Sequence, residues 1–131
     1  MILIFALFGC ALAGACYLMS GAWVNELGSV AYIQAHAKTG DLTGYYTTAV
    51  GDASGNYVLR GSYQVDVCDP TFAFVVTWQN SANNQSTSTT AWSGVFINGT
   101  LHTTWLLTSQ VASSADVWQA TRIGSNVFHK Q

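Results

Sequence analysis

From Gly21 onward the chain alternates apolar and polar residues over short runs, and each run stops at a cluster of turn-forming residues. A period of two belongs to a strand with one buried face, because successive side chains of a strand point to opposite sides. The runs are Gly21 to Leu27, Val30 to Ala37, Leu42 to Ala49, Tyr57 to Asp66, Thr71 to Gln79, Thr90 to Ile97, Leu101 to Thr108 and Val117 to Ile123, the last extending toward Phe128. Between them lie KTGD, GDASGN, VCDP, NSANNQS, NGT and SQVASSAD, rich in residues that set turn dihedrals. No amphipathic helix of useful length competes with this pattern. Eight short strands at hairpin spacing predict an all-β domain, either an up-and-down antiparallel β-barrel or a sandwich. A closed barrel of eight pairs every strand edge, and its interior is either filled by side chains or holds one small ligand.

The same alternation assigns side chains to faces. In WVNELGS, Trp23, Asn25, Leu27 and Ser29 share the inner face, and the charged Glu26 marks the outer one. Leu42, Gly44, Tyr46 and Thr48 share a face, as do Phe72, Phe74, Val76 and Trp78. Ser88, Thr90, Trp92, Gly94 and Phe96 form another such set, and Leu101, Thr103, Trp105 and Leu107 a fourth. Trp and Phe thus sit inward beside Thr, Ser, Tyr and Asn, strand after strand. Any one of these polar residues has a local explanation, since an inward Ser or Thr usually bonds a nearby carbonyl. Their convergence with several tryptophans is the lining that a small-ligand site needs, aromatic walls with a few placed donors and acceptors. In an ordinary core they would cost free energy as buried groups without partners.

The first fifteen residues, MILIFALFGCALAGA, carry no charge and are almost wholly apolar. They read as a secretory signal peptide, with Ala13, Gly14 and Ala15 as an A-x-A-like cleavage site that leaves residues 16–131 as one mature domain. As a membrane anchor the segment falls short of the roughly twenty residues a spanning helix needs. Its removal takes Cys10 with it and leaves Cys16 and Cys68 in a chain bound for an oxidising compartment, as one disulfide or as two buried thiols. Four Lys and Arg against six Asp and Glu, all scattered, make no basic stripe for phosphate, which excludes nucleic acid as a partner class. His36, His102 and His129 lie off the inner faces or near the C-terminus, with no zinc spacing or nucleophile elbow around them. The six carboxylates fall mostly in turns or outward, so no acid–base pair is indicated and the chain reads as non-enzymatic. Asn84-Gln85-Ser86 and Asn98-Gly99-Thr100 are glycosylation sequons by pattern alone.

GAWVNELGS, LTGYYTTAVG, TFAFVVTWQN, TTAWSGVF, TTWLLTS and VWQATRIGSNVF resemble, in that order and spacing, the successive strand motifs of the avidin and streptavidin family of biotin-binding proteins. The resemblance covers roughly Gly21 to Phe128. It implies an eight-stranded up-and-down barrel that holds biotin in its interior without a cofactor, as a secreted homo-oligomer, a tetramer by family habit, with no membrane contact once the signal is gone. Biotin's ureido oxygen would accept hydrogen bonds from Asn25, Ser29 and Tyr46, and its two ureido N–H groups would donate to Thr48 and Asn126. Leu27, Val50, Trp78, Trp92, Trp105 and Leu107 would form the apolar and aromatic wall. Gly51, Asp52, Ser86 and Ser88 would meet the carboxylate, Ser86 in a segment one residue longer than in streptavidin-like members, and Thr90 would lie near the sulfur. Trp118 would reach into a neighbouring subunit's pocket, while Trp23 packs beneath the pocket floor. Cys16 falls where avidin-type members have their first cysteine, but Phe96 stands at that cysteine's partner position, so a Cys16–Cys68 disulfide would run differently.

The resemblance further implies that Asn25 and Ser29 wait unpaired for the ureido oxygen. It also implies an affinity flat from about pH 5 to 9, since no Asp, Glu or His belongs to the ureido set. The competing expectation is an avidin-like barrel with lost or altered ligand specificity, acting as a secreted structural protein or as a carrier of another small molecule.

Overall fold

A computed structural model describes residues 19–49, 55–79 and 87–131. The strands are β1 (Gly21–Val24), β2 (Val30–Ala35), β3 (Asp41–Thr47), β4 (Asn56–Tyr63), β5 (Thr71–Gln79), β6 (Thr87–Ile97), β7 (Thr100–Ser109) and β8 (Thr121–Lys130). Each pairs antiparallel with the next, and β8 returns to β1, closing the barrel. The fold is the all-β, eight-stranded, up-and-down barrel that the alternation and the motifs predict, and the sandwich alternative falls away. The sharpest hairpin joins β6 to β7 through Asn98 and Gly99, both in the left-handed region (φ 52 and 76). Those dihedrals suit a two-residue turn whose twist matches the strands it joins.

Alternation puts the expected residues inward. Leu42, Tyr46, Phe72, Phe74, Val76, Trp92, Phe96 and Leu101 are buried. At one end of the barrel the filling is apolar: Trp23 meets Phe96 edge to face at 5.8 Å, with Met19, Leu101 and Phe128 buried in the same core. The Trp23 indole N–H donates to the Met19 carbonyl (2.8 Å), so the one polar atom of that ring is satisfied by backbone. On the outside of β5 to β8 run two uncharged rows in register, Val75, Ala91, Leu106 and Ile123, then Thr77, Thr89, Thr108 and Thr121.

The structure departs from the alternation at two places. β1 stops at Val24 rather than Leu27, because Asn25 turns the chain. Its side-chain Oδ1 accepts from the N–H groups of Leu27 (3.0 Å) and Ser29 (3.1 Å), and Gly28 takes φ 84. An amide that satisfies two turn donors competes directly with the strand ladder. Residues 117–119 are not strand either, since a 3-10 helix spans Ser114–Gln119. Asp116 N–H bonds the Ser113 carbonyl and Ala120 N–H the Val117 carbonyl, both at 3.1 Å, while Asp116 also accepts from Ser113 and Gln119 side chains (3.4 Å each). Val117 and Trp118 both face solvent on this short helix. Cys68 is half-buried between β4 and β5. The segment read as a signal peptide (1–15), Cys16, Val50, Gly51, Asp52, Asn84 and Ser86 lie outside the described residues.

Candidate ligand-binding site

At the end of the barrel opposite Phe96 and Phe128, the inward positions become polar. Asn25, at the start of the β1–β2 turn, is buried, and so are Ser29 beside β2 and Tyr46 on β3. These groups are not left unpaired, contrary to the expectation for Asn25 and Ser29. Asn25 Nδ2 donates to the Tyr46 hydroxyl (3.1 Å), Ala49 N–H donates to Ser29 Oγ (3.2 Å), and Ser29 Oγ lies 3.5 Å from Thr48 Oγ1. Among the described residues, no buried side-chain polar atom lacks a partner. Burial pushes the Tyr46 phenol up from its ordinary value, and the Ser29 and Asn25 hydrogen bonds oppose that rise in part. The hydroxyl therefore keeps its proton at ordinary pH and can donate.

Asn126 of β8 is buried with its amide held in one orientation. Trp92 Nε1 donates to Asn126 Oδ1 (3.0 Å), and Asn126 Nδ2 donates to Glu26 Oε1. An indole N–H can only donate and an ionised carboxylate can only accept, so the oxygen must face Trp92 and the nitrogen Glu26. One lone pair of Oδ1 stays available as an acceptor. The second Glu26 oxygen accepts from the Val127 N–H (2.9 Å). That N–H lies on the β1 side of β8, beyond the point where β1 has ended, and Glu26 replaces the missing strand acceptor. Partial burial pushes the Glu26 carboxyl up, but the Val127 N–H, the Asn126 amide and nearby His129 outweigh it and hold the group below its ordinary value.

The aromatic wall is built of contacts among the expected residues. Tyr46 stacks on Trp92 (5.0 Å) and meets Trp78 edge-on (5.5 Å), and Phe74 also stacks on Trp92 (5.0 Å). Trp78 Nε1 donates to the buried Thr90 hydroxyl (2.8 Å). Thr103 donates to the Asn126 carbonyl (2.8 Å), fixing the backbone beneath that amide. Trp105 pairs in register with Trp92, and Leu107 with Thr90, both half-buried on the inward rows. Ser88, also half-buried, stands opposite Trp78.

Two residues stand apart. Leu27 is 60% exposed in the turn, away from the buried groups that flank it. Trp118 is 81% exposed on the 3-10 helix and lines nothing in its own barrel. His36 and His102 bond the Thr43 and Thr100 hydroxyls (2.8 and 3.0 Å), and among the described residues no three His, Cys, Asp or Glu gather as metal ligands.

Two contributors escaped the sequence reading. Tyr57 of β4 packs edge-on against Trp78 (4.8 Å), and pairs in register with Tyr46. Its position in the first inward row of the YVLR run was the available signal. Glu26 escaped because an outward charge looks like a solvated face, and its partner lies a hundred residues away in sequence.

A sequence model of the Avidin family matches residues 13–131. The chain is 42% identical over 118 residues to avidin-related protein 4/5 of Gallus gallus, covering 84% of this chain and 75% of that protein. It is 39% identical over 121 residues to avidin-related protein 3 of the same species (86% and 77% covered), and 40% identical over 121 residues to its avidin (84% and 76% covered).

Proposed function

We propose, from the premise that the chain belongs to the avidin family, that it is a secreted, non-enzymatic protein that binds biotin tightly and without covalent chemistry at the polar end of its barrel. The observation that carries this reading is the buried Asn126 amide, held in one orientation by Trp92 and Glu26, in the same barrel interior as the buried Asn25, Ser29 and Tyr46 hydrogen-bonding groups. A cyclic urea offers one carbonyl oxygen and two N–H groups. Asn25, Ser29 and Tyr46 supply donors for the oxygen, and Thr48 and Asn126 supply acceptors. Preorganised groups of this kind are not reoriented on binding, which keeps the ordering cost low. Trp78, Trp92 and Trp105, with Leu107, enclose the ring faces, and Thr90 lies toward the sulfur. Ser88, together with Gly51, Asp52 and Ser86, is assigned to the carboxylate tail, and Leu27 and Val50 to the rim.

The site is completed by a second copy, in a homotetramer. Two features support this: Trp118 projects a large indole into solvent, and the outer rows of β5 to β8 carry no charge. A buried aromatic anchor contributed by a partner is a common centre of binding energy. A Cys16–Cys68 disulfide belongs to the same proposal, as does cleavage after Ala15. The test is a biotin titration of the mature protein, followed by tryptophan emission, with native mass spectrometry in parallel. Saturation at one biotin per chain on a tetramer is expected; no response at micromolar biotin removes the reading.

A further inference from the structure

Glycines on the inward rows of β4, β6 and β8 serve different ends. A Cβ placed on Gly61 would lie 2.0 Å from the Ala73 carbonyl oxygen, and one on Gly94 would lie 2.0 Å from that of His102. Both glycines answer to the backbone of the neighbouring strand, which the fold cannot move. Gly124 is unlike them. A Cβ there would lie 2.2, 2.5 and 2.8 Å from Cζ2, Cε2 and Cη2 of Trp105, its register partner on β7. Its φ lies outside the left-handed region, so the backbone would accept any residue. What forbids a side chain at 124 is the indole itself, which occupies the volume that a side chain would fill.

We propose that Gly124 is a positioning residue for Trp105: its missing side chain seats the indole against β8, sets the width of the polar end and thereby selects the size of ring system admitted. The inference rests on the biotin reading above and extends it to ligand shape. A methyl group at 124 must push the ring inward, because β8 lies behind it and ordinary carbon contacts need about 3.5 Å. The narrowed end then discriminates against a fused two-ring urea more than against a single-ring one.

The test is Gly124→Ala in the full chain, with Trp105→Phe and the double variant. Gly124→Ala should lower biotin affinity by about tenfold or more, the usual consequence of overpacking a filled site. It should lower the affinity for desthiobiotin, which keeps the cyclic urea and lacks the second ring, by less than about threefold. In the Trp105→Phe background the same substitution should cost less than about threefold for biotin, since the smaller ring vacates the space. Equal losses in both backgrounds, or equal losses for both ligands, overturn the proposal. Should Gly124→Ala fail to fold, the double variant is expected to fold; if it does not, the fold and not the indole demands glycine. A ligand-free arm separates this idea from the biotin reading. With 5-fluorotryptophan incorporated, the 19F resonance missing from Trp105→Phe must shift in Gly124→Ala. A wild type that ignores biotin while this shift appears sinks the biotin reading and leaves the positioning role standing; an unmoved resonance sinks the positioning role.

Discussion

At one end of the barrel, Trp23, Phe96, Leu101 and Phe128 fill the interior with carbon, and the polar atom that accompanies them bonds to a main-chain carbonyl. At the other, Asn25, Tyr46, Trp78, Thr90, Trp92, Asn126 and Glu26 bond mainly to one another's side chains. Both ends obey the same alternation and sit in the same ladders. The difference lies in what each hydrogen bond holds. A bond to the backbone supports the fold, whereas a bond between two side chains can be exchanged for one to a ligand while the ladder stays intact. Side chain to side chain bonds elsewhere, such as His36 to Thr43 and Thr108 to Thr121, are exposed to solvent, so the buried and part-buried ones gathered at this end mark a site rather than a core.

Substitutions at the two ends should therefore separate stability from binding. The largest effect on the fold is expected from Phe128→Ala at the apolar end, which should cost about 3–5 kcal/mol. That corresponds to a melting temperature lower by roughly 10–20 °C for a domain of this size, measured by calorimetry. A loss under about 1 kcal/mol there would erase the contrast.

Tyr46→Phe at the polar end removes one hydroxyl and leaves Asn25 Nδ2 without its acceptor. It should destabilise by about 0.5–1.5 kcal/mol in urea melts, yet lower biotin affinity by roughly tenfold or more in calorimetric titration. A variant that loses stability and keeps its affinity would place Tyr46 with the core.

Glu26→Gln probes the link between the site and the barrel seam. A glutamine oxygen can accept from Asn126 or from Val127 but cannot reproduce both carboxylate oxygens. Because the Glu26 carboxyl is held low in the folded protein, its contribution is complete above the unfolded-state value and is lost as pH falls through the folded one. Wild-type affinity should thus be flat across neutral pH and fall only in acid, below the ordinary carboxylate range, where the glutamine variant should show a weaker but level profile. Parallel acid limbs in the two proteins, read by titration from pH 3 to 7, would remove Glu26 from the site.

The smallest effect on the fold is expected from Trp118→Lys. Within one barrel Trp118 is exposed, so the substitution should shift the stability of an isolated subunit by no more than about 0.5 kcal/mol. Biotin should nevertheless dissociate faster, and native mass spectra should show fewer tetramers. Unchanged dissociation would mean that one subunit completes the pocket alone.

The barrel was legible because its signal is local. Each strand writes its own inner and outer face, so Tyr46, Trp78, Thr90 and Trp92 could be placed inward from their own runs. What escaped depends on partners far away in sequence or on competition within a turn. Leu27 has the right parity for the inner face, but the Asn25 side chain captures two N–H groups and ends the strand before parity applies. Val117 and Trp118 look like strand residues until Ser113 and Asp116 tie the segment into a 3-10 turn. Glu26 reads as solvated by every local measure, and only closure of the barrel brings Asn126 and Val127 to it. Of the proposed site, the donors and aromatic rows follow from pattern and motif, while the amide's orientation is a property of the closed structure.

The seam has a consequence for handling the protein. Among the described residues, β1 and β8 meet in register only at Trp23 with Lys130 and Val24 with His129, while β6 and β7 pair along their whole length. Glu26 extends that short join by one carboxylate. Acid that neutralises this group would leave the join to those two residue pairs and the Gln131 N–H to Ala22 carbonyl bond (2.9 Å), and a barrel opened there presents two raw strand margins to its neighbours. Low-pH elution or storage should therefore bring on self-association before it brings on general unfolding.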